Sequence, residues 1–334
     1  MLGNTFAKIS LATVLALCLL ACGASSSAAP KVRVAVSRDA VTLLPVHLAQ
    51  TLGYYNEEGL DVTLTEVAGA PQNAMREGTI DVALGTTTPI QAAASGESIQ
   101  GFLVIYSTTN NVLIVSPGAN GAVHGFADLK GRRIGVSNVN SLSEIYLDYV
   151  LQTNGVRKED VKAVAIGVGA PAAAAVERGD VDAGLLLGGS INMLLQKHPE
   201  LTILADTRTP EGSQKIFGTA VFPGSLLVAE ERWLKGNPDT ARRFVRAVRK
   251  AMKWMGDHSA QEVRANLRAD QRIADAQADL QTIRDFQHML SPDGAIRKGS
   301  PELMYKVLSG SLEDVRKAHI DLSKAYTNEY LSGK

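Results

Sequence analysis

Two cysteines are all that this chain of 334 residues contains, and both, Cys18 and Cys22, fall within its first 22 positions. No disulfide can staple the rest, so any fold must be held by burial, for which the length is ample. Lysine plus arginine equal aspartate plus glutamate, 34 each, which removes the one-signed field that would draw in nucleic acid or another polyanion. The six histidines, at 47, 124, 198, 258, 288 and 319, include no close-spaced pair of the kind a zinc site uses, so no metal is expected. There is no Walker-type phosphate loop. Gly-x-Ser-x-Gly and Ser-x-x-Lys are also missing, which excludes the commonest serine-nucleophile signatures. The apolar run at 11–20 has ten residues, short of the ~20 that a membrane-spanning helix needs.

That run has the length of a secretory signal, preceded by a weakly basic stretch with Lys8 as its charge. It ends Leu19-Leu20-Ala21-Cys22-Gly23, which resembles the bacterial lipobox, where the cysteine is lipidated and becomes the mature N-terminus. A plain signal peptide cut near Ala28-Ala29 is the alternative. The lipobox divides the start into a signal peptide at 1–21 and a tether of small residues at 22–30. The expected location is the periplasmic or cell-surface face of a bacterial membrane, lipid-anchored through Cys22.

The most informative stretch is a repeat. Ala70-Pro71 opens a short helix that Gly78 closes, with Ile80-Asp81 leading into an apolar strand up to Gly85. One hundred residues later, Ala170-Pro171 opens a helix that Gly179 closes, and Val181-Asp182 leads into another strand. Proline suits a first helical turn and glycine the position past the last one. A self-match at this offset predicts two similarly built α/β lobes and a cleft between them.

Around the first copy, strands are predicted at 32–37, 61–67 and 80–85, with helices at 44–52, 71–77 and 88–95. This alternation predicts a parallel sheet. Ligands then belong outside the carboxyl ends of the strands. Three turns share that address: 37–42 with Ser37, Arg38, Asp39 and Thr42; 68–71 with Gly69; and 85–88 with Thr86, Thr87 and Thr88. Arg38 reads either as a counter-charge or as an exposed loop cation. Apolar runs at 102–107 and 112–116, separated by Thr108-Thr109-Asn110-Asn111, carry the chain out of the first lobe. In the second lobe, strands are predicted at 133–137, 161–166 and 181–187, and Asn138, Asn140 and Ser141 precede a long amphipathic helix.

Three phrases carry a resemblance: Gly53-Tyr54-Tyr55-Asn56-Glu57-Glu58-Gly59-Leu60 before Asp61-Val62; Gly78-Thr79-Ile80-Asp81-Val82-Ala83; and Phe126-Ala127-Asp128-Leu129-Lys130-Gly131-Arg132-Arg133-Ile134-Gly135-Val136. With them, residues 30–255 resemble the periplasmic solute-binding proteins of ABC importers, in the sulfonate/nitrate/taurine group that also includes binders of thiamine-precursor pyrimidines. The resemblance implies an α/β, two-lobe periplasmic-binding-protein fold of type II, its parallel-sheet lobes joined by two crossover strands. It places ligand contacts on the turns 37–42, 85–88, 138–141 and 167–171, the last including Gly169. Where many members have an aromatic-acid-proline turn, this chain has Gly188-Gly189-Ser190, whose glycines leave room or leave backbone N–H groups exposed to a ligand anion, and Gly189 and Ser190 are counted among the expected ligand contacts.

Gly167-Val168-Gly169-Ala170-Pro171-Ala172 also fits the minimal dinucleotide fingerprint, but its counterpart at 67–72 lacks the pattern, and Asp182 lies closer than the usual ~20 residues. Near the end, Asn237-Pro238 opens a helix with Phe244, Val245, Val248, Met252 and Met255 on one face and Arg242, Arg243, Arg246, Arg249, Lys250 and Lys253 on the other. That basic face is solvated or meets a partner or membrane. Lobe 1 is expected at 31–109, completed by 256–334, and lobe 2 with the return helix at 110–255.

The expected function is capture of a small organic anion or oxyanion, sulfonate-, nitrate- or carboxylate-like, and its delivery to a transmembrane ABC permease and, through it, to an ATPase. The chain is expected to be a monomer with no cofactor, no catalytic residue and no enzymatic activity. The alternatives are a binder or converting enzyme for a thiamine-precursor pyrimidine, and a ligand-sensing subunit.

Overall fold

β1 (Lys31–Val36) starts the first sheet with Val32 and Val34 wholly buried between its polar neighbours, the period-two pattern of a strand packed on one face. The computed structural model describes residues 28–36, 40–67 and 70–332. Within them β2 (Asp61–Glu66), β3 (Val82–Leu84) and β4 (Ile99–Tyr106) precede a crossing to β5 (Asn111–Val115), β6 (Arg133–Val136), β7 (Lys162–Ala165), β8 (Ala183–Leu187) and β9 (Ile203–Asp206), and β10 (Ser225–Glu230) follows. The strands form two five-stranded sheets, in the orders β2-β1-β3-β10-β4 and β7-β6-β8-β5-β9. This is the expected two-lobe α/β architecture.

The sheets are mixed, however, where the sequence predicts parallel ones. β1 pairs in parallel with β2 and β3, and β6 with β7 and β8, but β10 runs antiparallel to β3 and β4, and β5 to β8 and β9. The cause is the crossing. The other strands of each sheet end at the cleft, whereas β5 and β10 enter their sheets from it and run outward. The crossover segments also bond to each other, with Phe222 N–H on Ser107 O (2.6 Å) and Gly224 N–H on Tyr106 O (2.9 Å). β10 thus returns the chain to the first sheet well before residue 255. The helix Pro238–Asp257 packs on that lobe through Phe244, stacked on Tyr55 at 5.5 Å. Its basic face is largely ion-paired, Arg246 with Glu58, Lys250 with Glu57, Arg243 with Asp239 and Lys253 with Asp257.

The repeated segments build the same joint twice. Asp81 accepts the backbone N–H of Arg33 (2.8 Å) and its guanidinium (2.6 Å), and that guanidinium also donates to Gly78 O. Asp182 accepts the backbone N–H of Arg133 (2.8 Å), whose guanidinium donates to Gly179 O (3.1 Å). The aspartate and glycine of the repeat therefore clamp β3 to β1 and β8 to β6, at the ends of the sheets away from the cleft. The Asp81 side chain is 7% exposed and that of Asp182 is 21%. Asp81→Ala is therefore expected to cost about 2 kcal/mol and Asp182→Ala about 1 kcal/mol, because the more deeply buried N–H loses its partner further from water. Urea unfolding of the two variants checks the order.

The C-terminal helices reach both lobes. Phe286, on the helix Ala276–Met289, meets Tyr106 of β4 edge-on at 4.8 Å. The residue before it, Asp285, accepts from Asn192 (2.8 Å) and Arg208 (2.9 Å), both on the second lobe, and from Gln281 (3.0 Å). Asp285→Ala is expected to cost about 1–3 kcal/mol, because it removes bonds to a half-buried charge while Arg208 keeps Asp206. Small-angle scattering is expected to show a larger radius of gyration for the variant.

Candidate functional site

Between the sheets lies a cavity of about 340 Å³. Its walls are the strand ends that topology brings to the cleft: Leu84 at the end of β3 and Thr86 beyond it, Ser137 after β6, Leu187 at the end of β8 and Gly188 beyond it, and the openings of the outward strands at Asn111 and Ser225. The crossover residues Thr108 and Thr109 form its back, and Phe286 and Met289 come from the C-terminal helix. No described residue lining it carries a charge.

Its polar wall is a cluster of three serines at the start of the helix Leu142–Thr153. Ser143 Oγ accepts the backbone N–H of Ser137 (2.9 Å) and lies 2.7 Å from Ser137 Oγ and 2.9 Å from Ser141 Oγ. Ser141 donates its proton to Asn138 O. The hydroxyls of Ser137 and Ser143 are left to bond each other and any oxygen entering the cavity. The helices Leu142–Thr153, Ala170–Glu177 and Gly189–Lys197 all begin at this cavity, where Leu142, Val168 and Gly188 line it. Their unbonded first-turn N–H groups favour a partial negative charge.

Tyr146, one turn on from Ser143 along the same helix, gives the cavity an apolar, aromatic part together with Phe286 and Met289. Tyr146 packs edge-on against Phe222 at 5.8 Å, and burial, with Tyr326 nearby, pushes its phenol well above the ordinary tyrosine range. Tyr146 thus serves as a neutral wall. Among the described residues, no group of three or more His, Cys, Asp or Glu side chains stands where a metal could be held.

Of the residues singled out in the sequence, Thr42, Thr86 and Ser141 line the cavity. Thr86 donates to Gly224 O at 3.1 Å, tying the first lobe to the returning crossover. Thr87 bonds Gln91 (2.9 Å), and Thr88 accepts from Gln72 (2.9 Å), so both serve the start of the helix Thr88–Ala94 instead. Asn138 is exposed, and Asn140, also exposed, has φ 60° and donates its N–H to Glu144. Gly169 precedes the helix Ala170–Glu177 with φ 64°, beside the lining Val168. Gly189 packs against Ile273, where an added Cβ would sit 2.5 Å from Cδ1. Ser190 is buried and bonds the backbone of Leu187. Ser37, Arg38, Asp39, Gly69 and Cys22 lie outside the described residues.

Sequence reasoning passed over Ser143, Asn111, Ser225, Phe286 and Met289 as site residues. Two signals were present: Ser141-Leu142-Ser143 sets hydroxyls two apart at a helix start, and Thr108 to Asn111 is a polar run between two apolar strands.

Relatives support the fold. The family model "NMT1/THI5 like" matches residues 41–262. A solved structure of a Bordetella bronchiseptica RB50 protein is 29% identical with a TM-score of 0.77, covering 90% of this chain and 95% of that one. The periplasmic aliphatic sulphonate binding protein SsuA of Escherichia coli is 18% identical with a TM-score of 0.63, covering 88% of this chain and 91% of its own; it shares the periplasmic-binding-protein fold. YtlA of Bacillus subtilis, named as a binding protein, is 25% identical over 85% of this chain and 84% of its own length. The 4-amino-5-hydroxymethyl-2-methylpyrimidine phosphate synthase THI13 of Saccharomyces cerevisiae is 26% identical over 86% of this chain and 84% of its own length. That last similarity corrects one expectation. The sequence argued against an enzyme from missing nucleophile and phosphate-loop motifs, yet several curated relatives are named as synthases, so those motifs do not decide the matter. The chain belongs to the NMT1/THI5 like family.

Proposed function

We propose that the chain captures a small organic molecule with an apolar body and an oxygen-bearing head, sulfonate- or carboxylate-like, between its two lobes. The observation that carries this is a cavity whose described lining bears no charge and joins the serine cluster and three helix starts to the apolar surface of Tyr146, Phe286 and Met289. An apolar wall gains by covering hydrocarbon, at about 25 cal/mol per Å². Inorganic oxyanions have nothing to offer it. A ligand that touches both lobes favours the closed form by its differential affinity.

Delivery to an ABC permease belongs to the same reading, supported by the fold, as does a monomer held at a bacterial membrane through lipidated Cys22, supported by the lipobox-like 19–23. Among the described residues no helix is long and apolar enough to cross a membrane.

Calorimetric titration of organic sulfonates and carboxylates, pyrimidines, nitrate and sulfate tests the proposal. An organic member binding at micromolar Kd or tighter, about −8 kcal/mol, with no heat from nitrate or sulfate, supports it. Binding of the inorganic ions alone, or of nothing, overturns it. The synthase names among the relatives favour a second reading, in which the bound molecule is a pyrimidine that is then converted. Mass spectrometry of the ligand after long incubation reads this directly: an altered mass supports conversion and an unaltered one contradicts it.

A further inference from the structure

We propose that the cavity is preformed: Asp285 fixes the helix Ala276–Met289 across both lobes, so the lobes stay closed without a ligand, and the guest enters beside Val168 rather than between parting lobes. This rests on the reading of the cavity as a ligand site, and it makes Asp285 a positioning residue of that site.

The helix is fastened to each lobe in turn. Its last turn and the residues after it are bonded to the first lobe. Ser107 N–H donates to Met289 O (2.7 Å), Ser291 N–H to Ile105 O (2.8 Å), and Gln287 Nε2 to the carbonyls of Met255 and His258 (2.6 Å each). Its middle turns are bonded to the second lobe. Asn192, 5% exposed, donates to Thr282 Oγ1 (3.1 Å) and to Asp285 Oδ2 (2.8 Å), the oxygen that also takes Arg208 Nη1 (2.9 Å). Gly189 lets the two come close, since an added Cβ would lie 2.5 Å from Ile273 Cδ1 and 3.7 Å from Thr282 Oγ1. A smaller hold lies elsewhere, where Ser311 donates to Asp148 on the helix Leu142–Thr153 (3.1 Å).

Two crossovers alone make a hinge, and this helix is a third connection beside them. A second lobe that swings away takes Asn192 and Arg208 from Asp285 together, leaving a half-buried carboxylate with Gln281. Bonds to a charged group are the strong ones, and losing them in a desolvated place is costly. The same helix carries Phe286 and Met289 into the cavity, so what fixes the helix also fixes that part of the lining. Val168, lining the cavity and 54% exposed, marks an opening that needs no lobe movement. A ligand that favours the closed form then meets that form already populated.

Small-angle scattering and calorimetric titration of the full chain and of Asp285→Ala test this, with benzenesulfonate and benzoate as probes. The wild type is expected to keep one radius of gyration with and without bound probe. Ligand-free Asp285→Ala is expected to be larger, to return to the wild-type radius at saturation, and to bind about tenfold more weakly, because only its closed fraction is competent. Asp285→Asn, which keeps an acceptor oxygen and loses the charge, is expected to fall between the two, and it takes the place of Asp285→Ala if that variant loses its circular dichroism. A wild type that shrinks on binding, or ligand-free variants no larger than the wild type, overturns the role of Asp285 and leaves the cavity reading standing. Binding of neither probe to the wild type counts against the cavity reading, while the ligand-free radii still decide the role of Asp285.

Discussion

Replacing Gly224 by alanine is expected to lower stability by about 3–5 kcal/mol, the range reached when a closely packed interior is overfilled and its backbone must move. A Cβ at Gly224 would lie 1.7 Å from the carbonyl oxygen of Thr108 and 2.6 Å from its carbon. The obstacle is backbone, with no flexible side-chain end to give way. It is also the contact between the two crossovers, since Gly224 N–H bonds Tyr106 O and Gly224 O accepts from Thr86. Parting them displaces Thr86, Thr108 and Ser225, all lining the cavity, so ligand affinity is expected to fall with stability. Gly121, where an added Cβ meets nothing within 4 Å, is the control. Gly121→Ala is expected to change stability by no more than about 0.5 kcal/mol. Urea unfolding of both variants checks the contrast, and equal effects would remove the crossover contact from the account.

Acidification is expected to destabilise the protein through His47. This side chain, 4% exposed on the helix Leu44–Thr51, accepts from Gln271 at Nδ1 (2.8 Å), which puts its one proton on the buried, unpartnered Nε2. Burial first, and then the positive charge of Arg268, lower its pKa from 6.5 to about 4, with Asp270 opposing. The unfolded chain takes up this proton near pH 6.5 and the folded chain only near pH 4, so the contribution is complete above pH 6.5 and is lost as pH falls between the two values. A gap of that size is worth about 3 kcal/mol, with about 2.5 kcal/mol gone by pH 4.5. His47→Gln removes the titration. The difference between wild type and variant, followed by urea unfolding at pH 7.5 and pH 4.5, is expected to change by about that amount. A constant difference would mean that His47 is protonated inside the fold.

The repeat around Asp81 and Asp182 was legible because it is local: a proline, a glycine and an aspartate at fixed spacing build one joint, and the structure shows that joint in each lobe. Thr86 was legible for a related reason, since residues after a strand of an α/β sheet arrive at the cleft. The direction of β5 and β10 was not legible, because it depends on which side of the cleft the chain enters from. Nor was the aromatic wall. Phe286 reaches the cavity from a helix whose spacing says only that one face is buried. Asn111 looked like linker because it closes a polar run, and only the direction of β5, which opens at this residue, brings it to the cavity. Thr87 and Thr88 show the converse, side chains adjacent to a lining residue yet committed to a helix start.

The central claim, that the cavity between the lobes is where a small organic molecule binds, is tested most directly by blocking its mouth. Val168 lines the cavity and is 54% exposed, so a tryptophan there fills the opening without disturbing buried packing. Thermal unfolding of wild type and Val168→Trp, with and without the organic ligand that binds best in the titration, is the measurement. At a hundredfold its Kd that ligand is expected to stabilise the wild type by ~2.7 kcal/mol and to leave Val168→Trp, equally stable when ligand-free, unchanged. Equal stabilisation of both proteins would contradict the account, because the molecule would then be binding somewhere else.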